Sequence, residues 1–583
     1  MDNNVYGSIL KELSLENMLK HMEVLVNEIG ERLSGTEGLE RTALYIEKHL
    51  KESGLPARIE RFPMYHSFPG EAQLKVLSPE TATVDTRPVC HISSTPPCGI
   101  EGELLYLGEG GYADYEGVDA TNKVILTSMN WSPGRPEKAR IAWEKGAKAL
   151  IIMNWGKPDN TLIQMGGVKS QWGNPTPETV NDIPQITVIS VSRASGEYLA
   201  GLCAKGPVRV WLAADATREW VEACQPIGFV NGGGSSGQYI LVGSHIDAWG
   251  KSAICNAAGN ALNLELARLF YKYRAELARD IEFVFWDGHE IAEGGGSTWY
   301  CDTHWSDMTR YCVAYINLDT LAIKGTTVPG LEGQAEMKRL LMGSVEKIWG
   351  EKAEWRDAYK GGGDSSFFGV GVPYINFATE YTEEELKELN YAFYSPWLHS
   401  DSDTIDKIDM ELYIKHAEYF CFLLHELVNS EFIPYDLLDL SNDVRGQFEK
   451  LYSDAGCAAD LISGLEGVIN DYCRAAEAIQ NIIKSGKASS RDEIIALNRI
   501  LLGWERETSV FRSVSGRYGQ DACGYLKTEN PVPALYDAVS NLNKYPEGSH
   551  EYYLWMTKVI REKNRVFDAL NRSIQMAQAW LAH

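Results

Sequence analysis

The sequence predicts an α/β protein: a doubly wound mixed sheet with helices on both faces, an inserted β-rich domain and a C-terminal helical bundle. Buried, β-branched strands alternate with helices over residues 238–425, which is the doubly wound pattern. Between residues 88 and 215 short strands are separated by Gly, Pro and Asn turns. After about residue 430, Leu, Ile and Ala recur at three- and four-residue spacings, as in a helical bundle.

Residues 1–87 are expected to form the N-terminal part of the α/β domain. Residues 5–53 alternate apolar and polar side chains at the helical period. Residues 57–62 and 72–77 then alternate at period two, which is typical of edge strands.

Residues 88–215 are expected to form the inserted domain. Its predicted strands are residues 102–107, 123–127 and 149–153, and a helix over residues 136–145 precedes the third of them.

Residues 216–430 return to the α/β domain, and residues 431–583 form the helical domain. Within the first of these segments the predicted elements are an amphipathic helix at 260–271 and buried strands at 239–244, 281–286 and 312–318. The helical domain shows no obvious catalytic side chains, so we expect it to serve in packing or dimerisation.

The bulk composition indicates a globular protein outside the nucleic-acid-binding class. The formal net charge of −25 disfavours nucleic acid or an anionic membrane as a partner. No apolar run reaches the roughly 18 residues that span a bilayer, and the start of the chain lacks the pattern of a secretory signal. The eleven cysteines have no framework spacing, which favours a reducing cytoplasm.

Side chains that can bind metal ions follow the buried strands. The segment 245–249 reads His-Ile-Asp-Ala-Trp, and Trp-Asp-Gly-His-Glu and Tyr-Ile-Asn-Leu-Asp end the next two strands. Open α/β sheets place their chemistry at the carboxyl ends of strands. With a later histidine in Trp-Leu-His-Ser-Asp, we expect four separated strand ends to supply the site. The candidates are His245, Asp247, Cys255, His289, Glu290, Asp319 and His399.

This set of residue types is typical of a two-metal hydrolase. Two divalent ions about 3.5–4 Å apart can activate one water and clamp the oxygens of a hydrolysed carbonyl. Such a site needs His and carboxylate ligands, an anion that bridges the ions and a nearby general base.

The chain resembles the co-catalytic zinc peptidase family of glutamate carboxypeptidase, the leucyl aminopeptidases and the non-catalytic transferrin receptor. The resemblance rests on four stretches: His-Ile-Asp-Ala-Trp followed by Ala-Ile-Cys-Asn-Ala-Ala-Gly, Phe-Val-Phe-Trp-Asp-Gly-His-Glu, residues 363–367 and residues 399–404. It implies that the insertion is a protease-associated domain and that the helical tail mediates homodimerisation.

The resemblance also assigns roles to the candidates. It implies that His245 and Asp319 bind one ion and that Glu290 and His399 bind the other. Asp247 would hydrogen-bond His245 and fix its tautomer.

Two positions depart from the family pattern. Cys255 stands where the family has the bridging Asp, and His289 stands where it has the general-base Glu. A thiolate can bridge two ions and favours zinc, iron or another thiophilic ion. A histidine can act as a base near neutral pH, and it could equally be a ligand. A buried cysteine can also be simply a small apolar side chain.

We expect a zinc-dependent hydrolase, with one or two ions, that acts on peptide or amide bonds as an aminopeptidase or carboxypeptidase. One alternative is a re-tuned enzyme for a small molecule, with either one ion held by Cys255, Glu290 and His399 or a pair of softer ions. Another is a Cys255–His289 nucleophile pair without metal. The last is a dimeric binding or scaffold protein. Asp364 is either a turn residue or a substrate contact, and Asp287 is expected to cap the following turn.

Overall fold

The computed structural model describes residues 4–130, 133–234, 236–358, 364, 366–488, 490–514, 516–519 and 532–582. Its strands are β1 Ala57–His66, β2 Pro69–Ser78, β3 Ala82–Val84, β4 Thr86–Pro88, β5 Ile100–Tyr106, β6 Val124–Ser128, β7 Ala149–Met153, β8 Thr187–Val191, β9 Val208–Ala216, β10 Glu219–Val230, β11 Tyr239–His245, β12 Asp280–Trp286, β13 Cys312–Asn317, β14 Val328–Gly333, β15 Glu354–Asp357 and β16 Tyr374–Glu380.

The α-helices lie before, between and after these strands. They are α1 Asn4–Glu12, α2 Leu15–Glu23, α3 Glu37–Glu52, α4 Arg135–Glu144, α5 Arg193–Cys203, α6 Ala258–Lys272, α7 Gly295–Thr303, α8 Trp305–Tyr311, α9 Lys338–Trp349, α10 Glu383–Glu388, α11 Met410–Asn429, α12 Leu437–Ser453, α13 Ala459–Ile462, α14 Leu465–Ser485, α15 Arg491–Arg512, α16 Pro533–Leu542 and α17 His550–Leu581. Among the described residues, no helix combines the length and apolar character needed to cross a bilayer.

The first sheet has the order β1-β10-β12-β11-β13-β16-β14-β15. Its centre is parallel, because β11 pairs in parallel with β12 and β13, and β13 pairs in parallel with β16. The mixed doubly wound sheet predicted from the sequence is therefore confirmed.

Helices cover both faces of this sheet. Along β11, Ile240 and Val242 pack into a core that includes α6 and α11, whereas Tyr239 and Leu241 pack into a second core with α7 and α8. Side chains of a strand alternate between faces, so a strand buried on both sides reads as a continuous apolar run.

The second sheet has the order β3-β2-β9-β5-β6-β7-β8-β4, with β5 to β8 parallel. It begins with β2, before residue 88, where the sequence pattern places the start of the insertion. The expectation that residues 72–77 form an edge strand is wrong, because β2 lies between β3 and β9. The chain passes between the two sheets twice, from β1 to β2 and back from β9 to β10. The two passages lie side by side, because β1 pairs antiparallel with β10 and β2 pairs antiparallel with β9.

The helix predicted over residues 260–271 is α6, but it is not amphipathic. Residues from Ala258 to Ala267 are all buried, with Leu269 and Phe270. Its polar side chains are satisfied internally: Ser244 Oγ donates to Asn260 Oδ1 at 2.8 Å, and Asn263 Nδ2 donates to Val284 O at 3.1 Å. Such pairing lets polar residues occupy a core helix.

The region after residue 430 is helical, as predicted, and a buried ionic cluster joins it to the α/β domain. Arg512 of α15 lies 3.1 Å from Glu336 of the α/β domain, 3.5 Å from Glu505 and 3.3 Å from Asp443. Arg512, Glu336 and Glu505 are fully buried, and burial raises the pKa of both glutamates. The stability of this cluster therefore depends on the positive charge of the Arg512 guanidinium.

We expect Arg512→Met to lower the free energy of unfolding by about 3–5 kcal/mol, because it leaves buried acidic groups without their cation. Chemical denaturation followed by tryptophan fluorescence measures this. Arg474→Met is the matched control, since Arg474 is exposed and should change stability by no more than about 0.5 kcal/mol. Equal effects of the two substitutions would contradict a stabilising role for the cluster.

Candidate metal centre

Three parallel strands deliver five of the seven candidate residues to one sheet edge. His245 is the last residue of β11 and Asp247 follows it, His289 and Glu290 follow the end of β12, and Asp319 follows the end of β13. Because β11 lies between β12 and β13 and runs parallel to both, these carboxyl ends meet. This part of the sequence-based placement matches the structure.

The other two candidates reach the site from loops. Cys255 lies in the turn that precedes α6, and His399 lies in the segment between α10 and α11. The expectation of four strand ends is therefore wrong, since only three strands contribute. His399 adopts a left-handed backbone conformation with φ of 55°, and Thr320 beside Asp319 does likewise with φ of 57°. Such conformations persist where the surrounding structure imposes them, often at functional sites.

The Cys255 sulfur lies at the centre of the cluster. Its Sγ is 3.5 Å from His245 Nε2, 3.4 Å from Glu290 Oε1 and 3.7 Å from His399 Nε2. His245 Nε2 lies 3.4 Å from Asp319 Oδ1, and His399 Nε2 lies 3.1 Å from Glu290 Oε2.

These atoms form two groups that share one member. In each of the sets His245, Cys255, Asp319 and Cys255, Glu290, His399, one ligand atom per residue lies within 4.8 Å of the others. Nitrogen, sulfur and carboxylate oxygen are the donors that zinc accepts in proteins. The donor set thus fits one or two thiophilic divalent ions, and Cys255 belongs to both ligand sets.

The carboxylates and the thiol differ in their charge state. Burial opposes charge on Glu290, but His399 outweighs it and holds the pKa of this carboxyl well below its usual range. Burial likewise opposes charge on Asp319, and its contact with His245 lowers the pKa of that carboxyl. Burial raises the pKa of the Cys255 thiol, and Glu290 and Asp319 raise it further. A cation that binds here must therefore displace the thiol proton.

Asp247 contacts His245 and also holds the turn after β12. His245 Nδ1 lies 2.9 Å from the main-chain oxygen of Asp247 and 3.6 Å from its carboxylate. The same carboxylate accepts the backbone N–H of His289 at 3.0 Å and of Glu290 at 2.8 Å. A proton on His245 Nδ1 that is donated to the Asp247 carbonyl leaves the Nε2 lone pair for a ligand.

His289 belongs to neither ligand set. Its ring stacks on that of His245 with centroids 4.0 Å apart and planes inclined by 11°. Its Nδ1 lies 3.2 Å from Asp364 Oδ2. Burial and His245 lower the pKa of His289, but Asp364 and Glu290 more than offset them and raise it to about 9. In the sequence motif that contains Asp364, Gly363 and Ser365 lie outside the described residues.

Two further residues of the family-like motifs, one in residues 245–249 and one in residues 399–404, support the site. Trp249 Nε1 donates to Glu290 Oε2 at 3.1 Å. The Asp403 carboxylate accepts the backbone N–H of Ile254 at 2.9 Å and of Cys255 at 3.2 Å. Their presence in the motifs was the available signal, and spacing along the chain did not indicate these contacts.

The insertion also reaches the site, which the sequence did not indicate. Arg135 of α4 donates to Met165 O at 2.7 Å, and its Nη2 lies 3.5 Å from His399 Nδ1. The Met165 N–H donates to His399 O at 2.8 Å. The segment that carries His399 is thus held by the inserted domain.

Asp287 has a larger role than the turn cap expected from the sequence. It is fully buried, and its carboxylate accepts Ser34 Oγ–H at 2.6 Å and the Cys224 N–H at 2.9 Å. Burial and the nearby Asp247 raise the pKa of Asp287 to about 8. It therefore ties β10 and the N-terminal segment to the end of β12.

The fold and the site together define an α/β metallohydrolase. The model of Peptidase family M28 matches residues 227–424, the segment that contains every candidate ligand. The resemblance to the co-catalytic zinc peptidases is thereby confirmed, and the α/β domain carries it.

Individual relatives agree with this assignment. Carboxypeptidase Q from Bos taurus is 24% identical over 365 residues, which cover 59% of this chain and 74% of that protein. The probable glutamate carboxypeptidase VP8 from Zea mays is 23% identical over 634 aligned residues, covering 93% and 86%. A solved structure of a peptidase M28 precursor from Shewanella amazonensis has a TM-score of 0.59 at 19% identity, covering 73% of this chain and 96% of that one. The last likeness shows the fold alone.

We expect Trp249→Phe to weaken zinc binding by about 10–100-fold, because it removes the hydrogen bond that orients Glu290. Competition with a chromophoric chelator measures the affinity. Trp504→Phe is the matched control, since Trp504 is also buried and donates its indole N–H, but to Tyr472 in the helical region. Unchanged zinc affinity in Trp249→Phe would show that Glu290 does not need this contact.

Proposed function

We propose that this protein hydrolyses peptide or amide bonds with zinc ions held in a site where Cys255 replaces the usual bridging carboxylate. The observation that carries the proposal is the position of the Cys255 sulfur, which belongs to both ligand sets. A cysteine that was only a small apolar side chain would gain nothing from contact with two imidazoles and a carboxylate.

Each ligand set has a defined part in the proposed site. His245 and Asp319 would hold one ion, Glu290 and His399 the other, and Cys255 both. When bound, the ions would polarise the substrate carbonyl, lower the pKa of water and stabilise the developing oxyanion. The thiolate favours zinc, with iron or another thiophilic ion as alternatives to it.

His289 supports the proposal as the candidate base. It occupies the family's base position, lies beside His245 and belongs to neither ligand set. Cations bound beside His289 would disfavour its positive charge, so the ring would be neutral in the metal-loaded site. A neutral imidazole can take a proton from the attacking water and pass it to the leaving amine. Its alternative role as a ligand is disfavoured by its place outside both groups.

The alternatives differ in metal content. Chemistry on a small molecule at the Cys255, Glu290 and His399 set alone would require one ion per chain. A metal-free Cys255–His289 pair, or a scaffold, would require none. Two buried histidines, the buried Glu290 and the partly buried Asp319 lie around the sulfur, and this arrangement supports the metalloenzyme proposals over the metal-free pair and the scaffold.

We expect purified protein to contain about two zinc ions per chain, and Cys255→Ala to retain about one or fewer, because the shared ligand is lost. Elemental analysis measures the content, and hydrolysis of a dipeptide panel before and after chelation measures the activity. Cys255→Asp should retain two sites but accept manganese more readily than the native protein.

Cys421→Ser serves as the control, since Cys421 is a buried cysteine of α11 away from both ligand sets. Zinc content that is equal in native protein and Cys255→Ala would contradict the shared-sulfur site. Activity that survives complete chelation would contradict the metalloenzyme proposal itself.

We also propose that the chain forms a homodimer through α17. Four exposed apolar side chains lie at multiples of seven residues along this helix: Tyr553, Ile560, Phe567 and Leu581 are 53%, 37%, 48% and 47% exposed. Such a stripe lies on one side of a helix, and contiguous exposed apolar surface is typical of interaction sites.

We expect the double substitution Ile560→Glu and Phe567→Glu to convert dimer to monomer at micromolar concentration, because it charges the stripe. Light scattering coupled to size-exclusion chromatography measures the mass. Lys558→Glu with Arg565→Glu is the control, since both residues are exposed on the opposite side of the same helix. A native protein that is monomeric at these concentrations would contradict the proposal.

Two further assignments complete the proposal. We place the protein in the cytoplasm, which is supported by the free thiols of all ten cysteines among the described residues. We also assign the second sheet and its helices to a protease-associated-like domain that shapes the substrate cleft, which is supported by the contact of Arg135 with the His399 segment.

A further inference from the structure

Arg32 is a fully buried arginine whose side chain donates only to main-chain oxygens. Within the described part of the chain, no carboxylate lies at ion-pair distance from its guanidinium. Buried charged side chains are usually paired with an opposite charge, because an uncompensated buried charge is costly. The contacts with carbonyl groups are therefore what stabilise this guanidinium inside the protein.

The five carbonyl groups belong to two distant segments of the chain. In the N-terminal segment, Arg32 Nη1 donates to Leu25 O at 2.8 Å and to Gly30 O at 2.7 Å. In the second segment, the contacts are Nε with Ile246 O at 3.2 Å, Nη1 with Lys251 O at 3.3 Å and Nη2 with Ser252 O at 3.4 Å. One side chain thus joins the end of an N-terminal helical segment to residues 246–252.

The second segment lies between two of the candidate metal ligands. His245 immediately precedes residues 246–254, which we call the ligand loop, and Cys255 immediately follows them. Within this loop Ser252 has a left-handed backbone with φ of 40°, and its hydroxyl donates to Trp249 O. A residue other than glycine keeps such a conformation only where its surroundings impose it. The shape of the ligand loop therefore depends on contacts with the rest of the protein.

Arg32 and Asp403 hold this loop through opposite kinds of main-chain group. Arg32 binds carbonyl oxygens of the loop, and its own main chain exchanges two hydrogen bonds with Ala248, both at 3.1 Å. Asp403 accepts the N–H groups of Cys255 and of the residue before it. Because both residues fix the loop, they also fix the 3.5 Å separation between Cys255 Sγ and His245 Nε2.

We propose that Arg32 is a positioning residue that sets the distance between His245 and Cys255 by binding the carbonyl groups of the ligand loop. Arg32 touches neither substrate nor ion in this role. The inference rests on the proposed function, because it concerns the ion that these two ligands would share. A lysine would keep the charge, but its single nitrogen cannot reach carbonyl groups of both segments as the planar guanidinium does.

The first test measures metal binding. Arg32→Lys should weaken zinc binding by about 10–100-fold, because the loop no longer holds its two ligands at the native separation. Competition with a chromophoric chelator measures the affinity. In cobalt-substituted protein the charge-transfer absorption from sulfur to cobalt should also decrease, because it reports the contact of Cys255 with the ion. A role in stability alone would leave this absorption unchanged in the folded variant.

Arg279→Lys is the matched control. Arg279 is also buried, and its guanidinium donates to Leu427 O at 3.0 Å and to Ser430 O at 2.6 Å. It lies immediately before β12, at the end of that strand opposite to His289 and Glu290. This substitution should lower stability as Arg32→Lys does, but it should leave zinc affinity and the cobalt spectrum at their native values.

The second test needs no metal. Hydrogen exchange followed by mass spectrometry on metal-free protein should show faster exchange of the amides of residues 246–255 in Arg32→Lys, because local opening of the loop becomes easier. The same amides should exchange at the native rate in Arg279→Lys. If Arg32→Lys does not fold, Arg32→Gln, which keeps two N–H donors, undergoes both tests with the same expected direction.

The outcomes separate this inference from the proposed function. Native zinc affinity and a native cobalt spectrum in folded Arg32→Lys would overturn the positioning role and leave the hydrolase proposal intact. An equal loss of zinc affinity in Arg279→Lys would overturn it as well, because the loss would then follow from lowered stability. If the native protein binds no zinc, the proposed function fails, and hydrogen exchange alone decides whether Arg32 holds the ligand loop.

Discussion

The site depends on one shared atom, the Cys255 sulfur, which lies within reach of His245, Glu290 and His399 at once. The backbone that carries this sulfur is held by Asp403, whose carboxylate accepts the N–H groups of Cys255 and of the residue before it. Because thiolate–zinc bonds are longer than carboxylate–zinc bonds, the exchange of Asp for Cys changes the spacing of the site as well as its softness. The backbone at Cys255, which Asp403 holds, must therefore allow for the longer bond between sulfur and zinc.

Carboxylates that are not ligands organise the surroundings mainly through the main chain. Asp247 fixes the turn after β12 by accepting two successive N–H groups, and Asp403 does the same before α6. Each aligns two backbone donors at once, which side-chain-to-side-chain contacts cannot do. Trp249 and Asp364 each contact a single side chain, Trp249 a candidate ligand and Asp364 the candidate base.

The sequence predicted what local patterns determine. Apolar runs located β11, β12 and β13, and parallel pairing then required His245, Glu290 and Asp319 to meet. The sequence did not predict the features that depend on contacts between distant segments. The pairing of β2 with β9 and the approach of Arg135 to His399 leave no periodic signal. The burial of α6 was missed because its asparagines read as polar although they are paired inside the core.

The two ligand sets rest on different supports, and this has a physical consequence. His245 and Asp319 extend from central strands of the sheet, whose backbone hydrogen bonds are buried on both faces. His399 instead lies on a loop held by Met165 and Arg135 of the inserted domain. Local openings with low free energy occur where contacts are few and lie between domains. The first set is therefore preorganised mainly by the sheet, whereas the position of His399 in the second set depends on contacts with the inserted domain.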